Sequence, residues 1–202
     1  MQTTPNVIDI YHGNTVNDFA ALKADGVLGV IHKCTQGAGY ADPLYATRRK
    51  LATDAGLLWG AYSFNTGEPV ISQVNQFISH AEPDDNTLMC LDFEDNPHSQ
   101  MSLAQCRQFL EIAKSKLGRK LVLYSGNRIK DLLGLQIDVG IGVHRLWLAQ
   151  YGPKAVVQAS WRSNGQWLWQ YSENGRLPGT DGAVDLNFYA GTPEQLKAEW
   201  AS

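Results

Sequence analysis

The sequence predicts an α/β fold in which a mainly parallel sheet closes into a (β/α) barrel with an irregular, helix-poor second part. Five β-rich runs alternate with helical segments, and three further β-rich runs follow without convincing helices between them. The 202 residues contain no Pro/Ser-rich linker or break in composition, so we expect one domain spanning residues 1–202. An open doubly wound sheet is the structural alternative, but no Gly-rich fingerprint follows the first strand.

Eight apolar runs rich in β-branched and aromatic residues are the predicted strands. They cover residues 7–11, 27–33, 57–64, 87–94, 120–125, 145–151, 166–171 and 184–189. Helical spacing of apolar residues predicts helices at 17–24, 43–56, 69–81, 102–117 and 193–200, with a weaker one at 127–135. Ser102 is the predicted N-cap of the fourth helix, and Gly118 ends it.

Composition excludes several classes of partner. A formal net charge of −3 gives no electrostatic reason to expect nucleic acid or an anionic membrane. The N-terminus lacks the basic and apolar regions of a signal peptide, and no run of about 18 apolar residues predicts a membrane anchor. Three cysteines without CxxC spacing or a His-rich cluster predict buried thiols rather than a zinc site, and we expect neither metal nor cofactor.

The strand at 87–94 ends in two acids. Asp92 and Glu94 lie two residues apart, so a strand would point both carboxylates to one face, about 6 to 7 Å apart at Cα. Burial and mutual repulsion both oppose ionisation of such a pair. Because like charges on one buried face serve no structural purpose, the pair indicates chemistry.

Two further acids lie inside β-rich runs, Asp9 in the first and Asp185 in the eighth. Each could be an ordinary strand-end acid paired with backbone amides or a basic residue. Closure of the barrel places the eighth strand beside the first, and active sites of α/β barrels lie at the carboxyl ends of their strands. We therefore expect Asp9 and Asp185 to converge with Asp92 and Glu94 on one pocket.

Five motifs carry a resemblance to a known family. They are Asp9-Ile10-Tyr11-His12, Leu91-Asp92-Phe93-Glu94, Leu146-Trp147-Leu148-Ala149-Gln150-Tyr151, Trp169-Gln170-Tyr171 and Val184-Asp185-Leu186-Asn187. In this order and spacing the chain resembles glycoside hydrolase family 25, the Chalaropsis-type lysozymes that cleave peptidoglycan as N-acetylmuramidases. Residues 31–37 depart from the family pattern I-K-A-T-E-G, because Gln36 stands where Glu is common.

The resemblance implies a flattened barrel of the (β/α)5(β)3 kind and a site without a metal. It implies that Glu94 is the general acid of glycoside cleavage. Asp92 would orient the substrate's 2-acetamido group, whose carbonyl oxygen attacks the anomeric carbon with net retention, or would assist water directly. Asp9 and Asp185 would hold the surrounding polar network. The sequence alone does not assign the proton to one acid, although neighbouring carboxylates raise the pKa of one of their number.

Aromatic side chains at the mouth suit the apolar faces of sugar rings. We expect substrate contacts from Tyr62, Tyr124, Trp147, Tyr151 and Asn187. Lys33 is a further candidate, for a peptide carboxylate of the substrate. Strand alternation also predicts that Trp167, Trp169 and Tyr171 share one face.

The resemblance implies bacterial peptidoglycan as the partner, and we expect a monomer. Without a signal peptide, release by lysis or export by a signal-independent route would bring the protein to the cell wall. Two other functions remain open at this point. A metal-dependent hydrolase could use Asp9, His12 and the other acids as ligands, although no HxH or HExxH pattern supports it. A non-catalytic cell-wall glycan-binding protein could keep the barrel and lose turnover.

Overall fold

Eight strands form the wall of a barrel in the structure, a computed structural model that describes residues 6–202. They are β1 (Val7–Ile10), β2 (Gly29–Gln36), β3 (Leu58–Phe64), β4 (Leu88–Asp92), β5 (Val122–Ser125), β6 (Arg145–Ala149), β7 (Leu168–Gly175) and β8 (Val184–Phe188). Each pairs with its neighbours in chain order, and β1 pairs with both β2 and β8, which closes the sheet. The expected barrel is therefore confirmed.

The direction of the last strand distinguishes this barrel from a regular one. Strands β1 to β7 run parallel to one another. Strand β8 runs antiparallel to both β7 and β1. A parallel connection requires a crossover of a dozen or more residues, whereas an antiparallel one does not, so the short segment between β7 and β8 needs no helix. Within this connection Thr180–Asp181 forms a small strand pair with Thr15–Val16 outside the barrel.

Helices cover the first five connections and are sparse afterwards. They are α1 (Phe19–Ala24), α2 (Tyr45–Asp54), α3 (Val70–Ala81), α4 (Leu103–Leu117), α5 (Asn127–Leu133), α6 (Val139–Gly142) and the final α7 (Pro193–Glu199). Between β6 and β7 the structure has one short 3-10 turn, Ala159–Trp161. The capping box at Ser102 and the left-handed Gly118 bound α4 as predicted. This arrangement confirms the (β/α)5(β)3 architecture.

Two apolar cores position the site. The larger core fills the layer between the barrel and its helices, while the smaller one fills the lower barrel interior. Trp200, which follows α7, closes the lower end: it is 1% exposed and its indole Nε1 donates to the carbonyl of Trp59 at 2.7 Å. Its ring occupies the space that a Cβ on Gly29 would need, 2.6 Å away. The lower barrel is thus closed by apolar packing, and the four acids lie at the upper mouth.

Two details of the structure differ from the sequence predictions. Strand β4 ends at Asp92, so Glu94 stands two residues beyond it on the following loop. Trp167 precedes β7 and packs in the lower barrel core, whereas Trp169 packs against the outer core, so the prediction that they share a face is wrong. The three cysteines are buried and free, as predicted. Among residues 6–202, no helix has the length and apolarity needed to cross a membrane.

Candidate active site

Four acids meet in a small pocket at the upper mouth of the barrel. Asp9, Asp92, Glu94 and Asp185 line a cavity of about 80 Å³ together with four other residues. Those four are Tyr62, Tyr124, Trp147 and Gln170. Asp9 and Asp185 face each other in the register of β1 and β8. The predicted convergence of the four acids is therefore present in the structure.

Asp9 is the most firmly held of these acids. It is 6% exposed, and the Gln170 side-chain Nε2 donates to both of its carboxylate oxygens, at 3.0 and 3.2 Å. Asn187 Nδ2 donates to Asp9 Oδ1 at 2.7 Å, and Asn187 in turn accepts from the indole of Trp147 at 2.6 Å. Burial and then the charge of Asp185 raise the pKa of Asp9 well above its ordinary value. The hydrogen bond between Asp9 and Asp185 lets the pair share one proton.

Asp92 has fewer partners. Its carboxylate is 6% exposed, and its Oδ1 atom is buried without a hydrogen-bond partner. Burial, followed by the charges of Glu94 and Asp9, raises the pKa of Asp92 well above its ordinary value, while Lys33 opposes the rise. A buried acceptor left unpaired is unfavourable. This oxygen can therefore accept a hydrogen bond from a further donor.

Glu94 owes its position to a loop fixed by side-chain amides. Asn65 Nδ2 donates to the Glu94 carbonyl at 3.0 Å, and the Asn65 backbone N–H donates to the Asp92 carbonyl at 3.1 Å. The preceding Phe93 is fully buried, and its carbonyl accepts from the Ser125 hydroxyl at 2.6 Å. The loop therefore anchors Glu94 on both sides of its backbone although it lies outside the strand.

The electrostatic surroundings of Glu94 suit a proton donor. Burial, followed by the charges of Asp185 and Asp95, raises the pKa of Glu94, and the cation of Lys33 lowers it. A carboxyl with a raised pKa keeps its proton at a pH where an exposed glutamate would have lost it. Glu94 can therefore act as a general acid.

Lys33 lies half-buried within β2, three residues before the strand ends. Its Nζ donates to Gln36 Oε1 at 2.6 Å and stands over the rings of Phe64 and Tyr40, at 4.9 and 5.5 Å from their centroids. Burial lowers the pKa of Lys33 despite the nearby carboxylates. Its hydrogen-bond partner Gln36, the residue that departs from the family pattern, is neutral, so the ammonium charge remains available to a substrate.

Aromatic side chains form the walls of the acid pocket. Tyr124 donates its hydroxyl to Gln170 Oε1 at 2.9 Å and packs edge-on against Trp147, with ring centroids 4.6 Å apart. Burial raises the pKa of Tyr62 and of Tyr124 well above the ordinary value, so both hydroxyls remain protonated. Trp147 is 1% exposed and contributes to the floor of the pocket.

A larger groove adjoins the acid pocket. It has a volume of about 590 Å³ and shares Glu94 and Tyr124 with the pocket. Its other lining residues are Asp95, Gly126, Asn127, Arg128, Ala149, Gln150 and Tyr151. A Cβ on Gly126 would lie 2.5 Å from the Ala149 carbonyl, so only glycine permits this close approach of β5 and β6. The groove is of the size that binds small-molecule ligands.

Comparison with known proteins settles the family. The family model of "Glycosyl hydrolases family 25" matches residues 8–180. The chain belongs to glycosyl hydrolases family 25. It is 27% identical to Lysozyme M1 of Streptomyces globisporus over 209 residues, 95% of this chain and 69% of that protein. It is 30% identical to the autolytic lysozyme of Clostridium acetobutylicum over 196 residues, 91% of this chain and 55% of that protein.

Solved structures agree with the family assignment. The crystal structure of the bacterial lysozyme from Streptomyces coelicolor superposes with a TM-score of 0.87 at 27% identity, covering 99% of both chains. A muramidase from Trichobolus zukalii superposes with a TM-score of 0.83 at 26% identity, covering 96% of this chain and 97% of the other. The chain spans 55% to 69% of the length of the curated relatives, including a 60% share of an uncharacterised protein of Escherichia coli O157:H7.

The five motifs that resemble family 25 each contribute a wall of the acid pocket. Their lining residues are Asp9, Asp92, Glu94, Trp147, Gln170 and Asp185. Segments distant in sequence therefore meet at one point, which no single motif could show.

Of two expected substrate contacts, Asn187 and Tyr151, the first is buried and the second lines the groove. Asn187 is fully buried with both ends of its amide engaged, by Asp9 and Trp147, so it supports Asp9 instead of facing a substrate. Tyr151 lines the groove and is 51% exposed, and its hydroxyl lies 3.1 Å from Glu173 Oε2. The substrate-contact roles of the remaining residues stay predictions.

Sequence reasoning missed Gln170 as a site residue. It is 2% exposed and joins Asp9, Tyr124 and Tyr151 through its amide. Its side chain alternates with Trp169 along β7, so assigning Trp169 to the outer face would have placed Gln170 inside the barrel.

The acids show no metal-binding arrangement. Within residues 6–202, no group of three or more His, Cys, Asp or Glu side chains is placed to hold a metal ion. His12, a ligand in the alternative metal site, points instead to Asp42, whose Oδ2 lies 2.9 Å from the imidazole Nδ1.

Proposed function

We propose that this family 25 protein is a lysozyme that hydrolyses bacterial peptidoglycan at the β-1,4 bond between N-acetylmuramic acid and N-acetylglucosamine. The observation that carries the proposal is the convergence of Glu94, whose pKa is raised, with three further acids in a pocket beside a sugar-sized groove. The relatives named as lysozymes support the same substrate class.

The proposed reaction begins with proton transfer from Glu94 to the glycosidic oxygen, which leaves with the departing sugar. The oxocarbenium-like transition state is positively charged, and the carboxylates around the pocket stabilise that charge. Asp92 accepts the N–H of the 2-acetamido group through its unpaired Oδ1 and orients the acetamido oxygen. This oxygen bonds to the anomeric carbon as the glycosidic bond breaks, which forms a cyclic intermediate. Water then opens the cyclic intermediate while the Glu94 carboxylate takes its proton, which gives net retention of configuration.

The other side chains hold this arrangement and the polymer. Asp9 and Asp185 share a proton and fix the polar wall opposite Glu94. Tyr62, Tyr124, Trp147 and Tyr151 offer aromatic surface to the sugar rings, and Lys33 offers a cation to a peptide carboxylate of the wall.

Product analysis tests the proposal directly. Digestion of purified peptidoglycan, borohydride reduction and mass spectrometry should give muropeptides that end in reduced N-acetylmuramic acid. Reduced N-acetylglucosamine ends would show a glucosaminidase instead. A parallel digestion with chelator should proceed at the same rate, since a chelator-dependent loss would favour a metal-dependent hydrolase.

The Glu94→Gln variant tests the general acid. An amide cannot donate the proton, so we expect the rate of wall clearing to fall by at least about 100-fold. Binding to insoluble peptidoglycan should be retained. Clearing at the wild-type rate would refute the assignment of Glu94.

We also propose that the barrel acts as a monomer, because the pocket and groove are complete within one chain. Light scattering of the purified protein tests this, and a dimer as the active species would contradict it.

A further inference from the structure

A second cation lies at the mouth, in the groove on the outer side of Glu94. Arg128 is part of the groove lining, and 22% of its side chain is exposed. Its guanidinium lies 5.8 Å from the centroid of the buried Phe93 ring. The ring and the groove wall thus hold a positive charge next to the proposed proton donor.

The hydrogen bonds of Arg128 leave much of its guanidinium unused. One nitrogen donates to Asp95 Oδ1 at 3.2 Å and another to the Met101 carbonyl at 3.4 Å, and both distances are long for charged groups. The Nε atom is buried without a partner. A guanidinium carries five N–H donors and matches a carboxylate with two parallel bonds, which Asp95 does not supply here.

Asp95 is a replaceable partner because 72% of its side chain is exposed. An ion pair with an exposed partner contributes little to stability, so exchange of Asp95 for another carboxylate costs little free energy. Other arginines of the chain are used differently. Arg145, for example, donates to the carbonyls of Glu199, Trp200 and Ser202 and fixes the chain terminus.

We propose that Arg128 binds a carboxylate of the substrate in this groove and thereby determines specificity for anionic wall glycan. The inference rests on the proposed lysozyme function. N-acetylglucosamine is neutral, so the carboxylate comes from the peptide attached to N-acetylmuramic acid or, where that peptide is missing, from the lactyl group itself. The two sources share one chemistry, and the test below separates them.

The exchange couples substrate recognition to the proton donor. When a substrate carboxylate takes the guanidinium, Asp95 loses its partner but stays next to Glu94. The charge of Asp95 already raises the pKa of Glu94, and a bound substrate carboxylate brings a further negative charge to the same groove, which favours the protonated donor. Binding of the correct substrate therefore supports the first step of the reaction.

Three forms of one peptidoglycan preparation test the inference. The first is native, the second has its carboxylates converted to amides by carbodiimide and ammonia, and the third has its peptides removed by an amidase, which leaves lactyl carboxylates. We measure kcat/KM of wild type, Arg128→Gln and Arg128→Lys on each form. Arg162→Gln is the matched control, because it removes an exposed arginine outside the groove.

Wild type should cleave the native form about ten-fold faster than the amidated form, and Arg128→Gln should reduce that ratio several-fold, the remainder being the contribution of Lys33. Arg128→Lys keeps the positive charge but lacks the parallel N–H donors of a guanidinium. Its native-to-amidated ratio should therefore lie between those of wild type and Arg128→Gln. The Arg162→Gln control should retain the wild-type ratio. If Arg128→Gln also slows cleavage of the peptide-free glycan, Arg128 binds the free lactyl carboxylate as well. If cleavage of that glycan is unaffected, the peptide is the ligand.

A wild-type ratio near one, or an Arg128→Gln variant that retains the wild-type ratio, would overturn the inference. Because the readout is a ratio within each variant, a general loss of folded protein does not imitate the expected result. Wild type that releases no muropeptides ending in reduced N-acetylmuramic acid would instead refute the lysozyme function, and the inference with it.

Discussion

The Gln170→Glu substitution examines whether the acid pocket is as tightly coupled as its geometry indicates. The change replaces one amide nitrogen by oxygen and preserves the shape of the side chain. It also places a fifth acid where Gln170 Nε2 now lies, 3.0 and 3.2 Å from the two oxygens of Asp9. Below pH 4 the new carboxyl is protonated and can donate to Asp9 as the amide does. At higher pH the new carboxyl either ionises against the charge that Asp9 and Asp185 share or keeps its proton with a raised pKa.

The magnitude follows from Coulomb repulsion and proton linkage. Unit charges at this separation repel by about 5 kcal/mol at an effective dielectric constant of about 20. The group can avoid this repulsion by keeping its proton, which at pH 7 costs at most about 3.7 kcal/mol for a glutamate with an unfolded-state pKa of about 4.3. Its folded-state pKa is raised, so stability is present below the unfolded-state pKa and is lost as pH rises through the folded-state pKa. We expect a loss of about 2 to 4 kcal/mol between pH 4 and pH 7.

Urea unfolding at pH 4 and pH 7 measures this loss. The quantity to compare is the free energy of unfolding of the Gln170→Glu variant minus that of wild type at each pH. Gln108→Glu is the matched control, because it adds the same charge at an exposed position on α4. A Gln170→Glu variant whose deficit at pH 7 equals that of the control would show that Gln170 is not in close contact with Asp9 and would refute the reasoning.

Two further changes test the pocket and the lower end of the barrel. Lys33→Met removes the cation that lowers the pKa of Asp92 and Glu94, so the alkaline limb of the activity–pH profile should move to higher pH, while Lys116→Met on exposed α4 should leave it in place. An unmoved limb in Lys33→Met would contradict the electrostatic role. Trp200→Ala should lower the free energy of unfolding by about 3 to 5 kcal/mol, and Trp200→Phe by clearly less, as measured by urea unfolding. Equal losses in the two variants would show that burial of an aromatic ring is not the main contribution of Trp200 to the free energy of unfolding.

The order of strands and helices was accessible from the sequence because its signals are local. Apolar periodicity separated strands from helices, and cap residues such as Ser102 and Gly118 bounded α4. The end of β4 was not accessible in the same way. Phe93 is apolar and donates its backbone N–H to the Tyr124 carbonyl, so the segment looks like a strand beyond Asp92, where the paired ladder ends. The prediction for the face of Trp167 failed for a similar reason, since that residue lies before β7 begins.

The acids of the site were predictable because charge inside an apolar run is conspicuous. Neutral polar residues do not stand out in this way. Gln170 lies between two aromatic residues, and the adjacent sequence does not indicate that it hydrogen-bonds with Asp9 and two tyrosine hydroxyls. The role of Arg128 was equally hard to predict, because it depends on the groove that the side chain lines. Contacts between residues more than 30 positions apart decide both cases.

The direction of β8 explains why Asp185 lies at the mouth of the barrel, as expected, and why Asn187 does not. Because β8 runs antiparallel to β1, its amino-terminal end lies at the mouth where the parallel strands end, so Asp185 pairs with Asp9. Moving two residues along β8 then leads down into the barrel, and Asn187 pairs with Val7 on the lower part of β1. On a parallel strand the same step would have led outward to the substrate. One reversed strand therefore turns a residue expected at the mouth into a buried support for Asp9, which ties the pocket's polar network to the topology of the barrel.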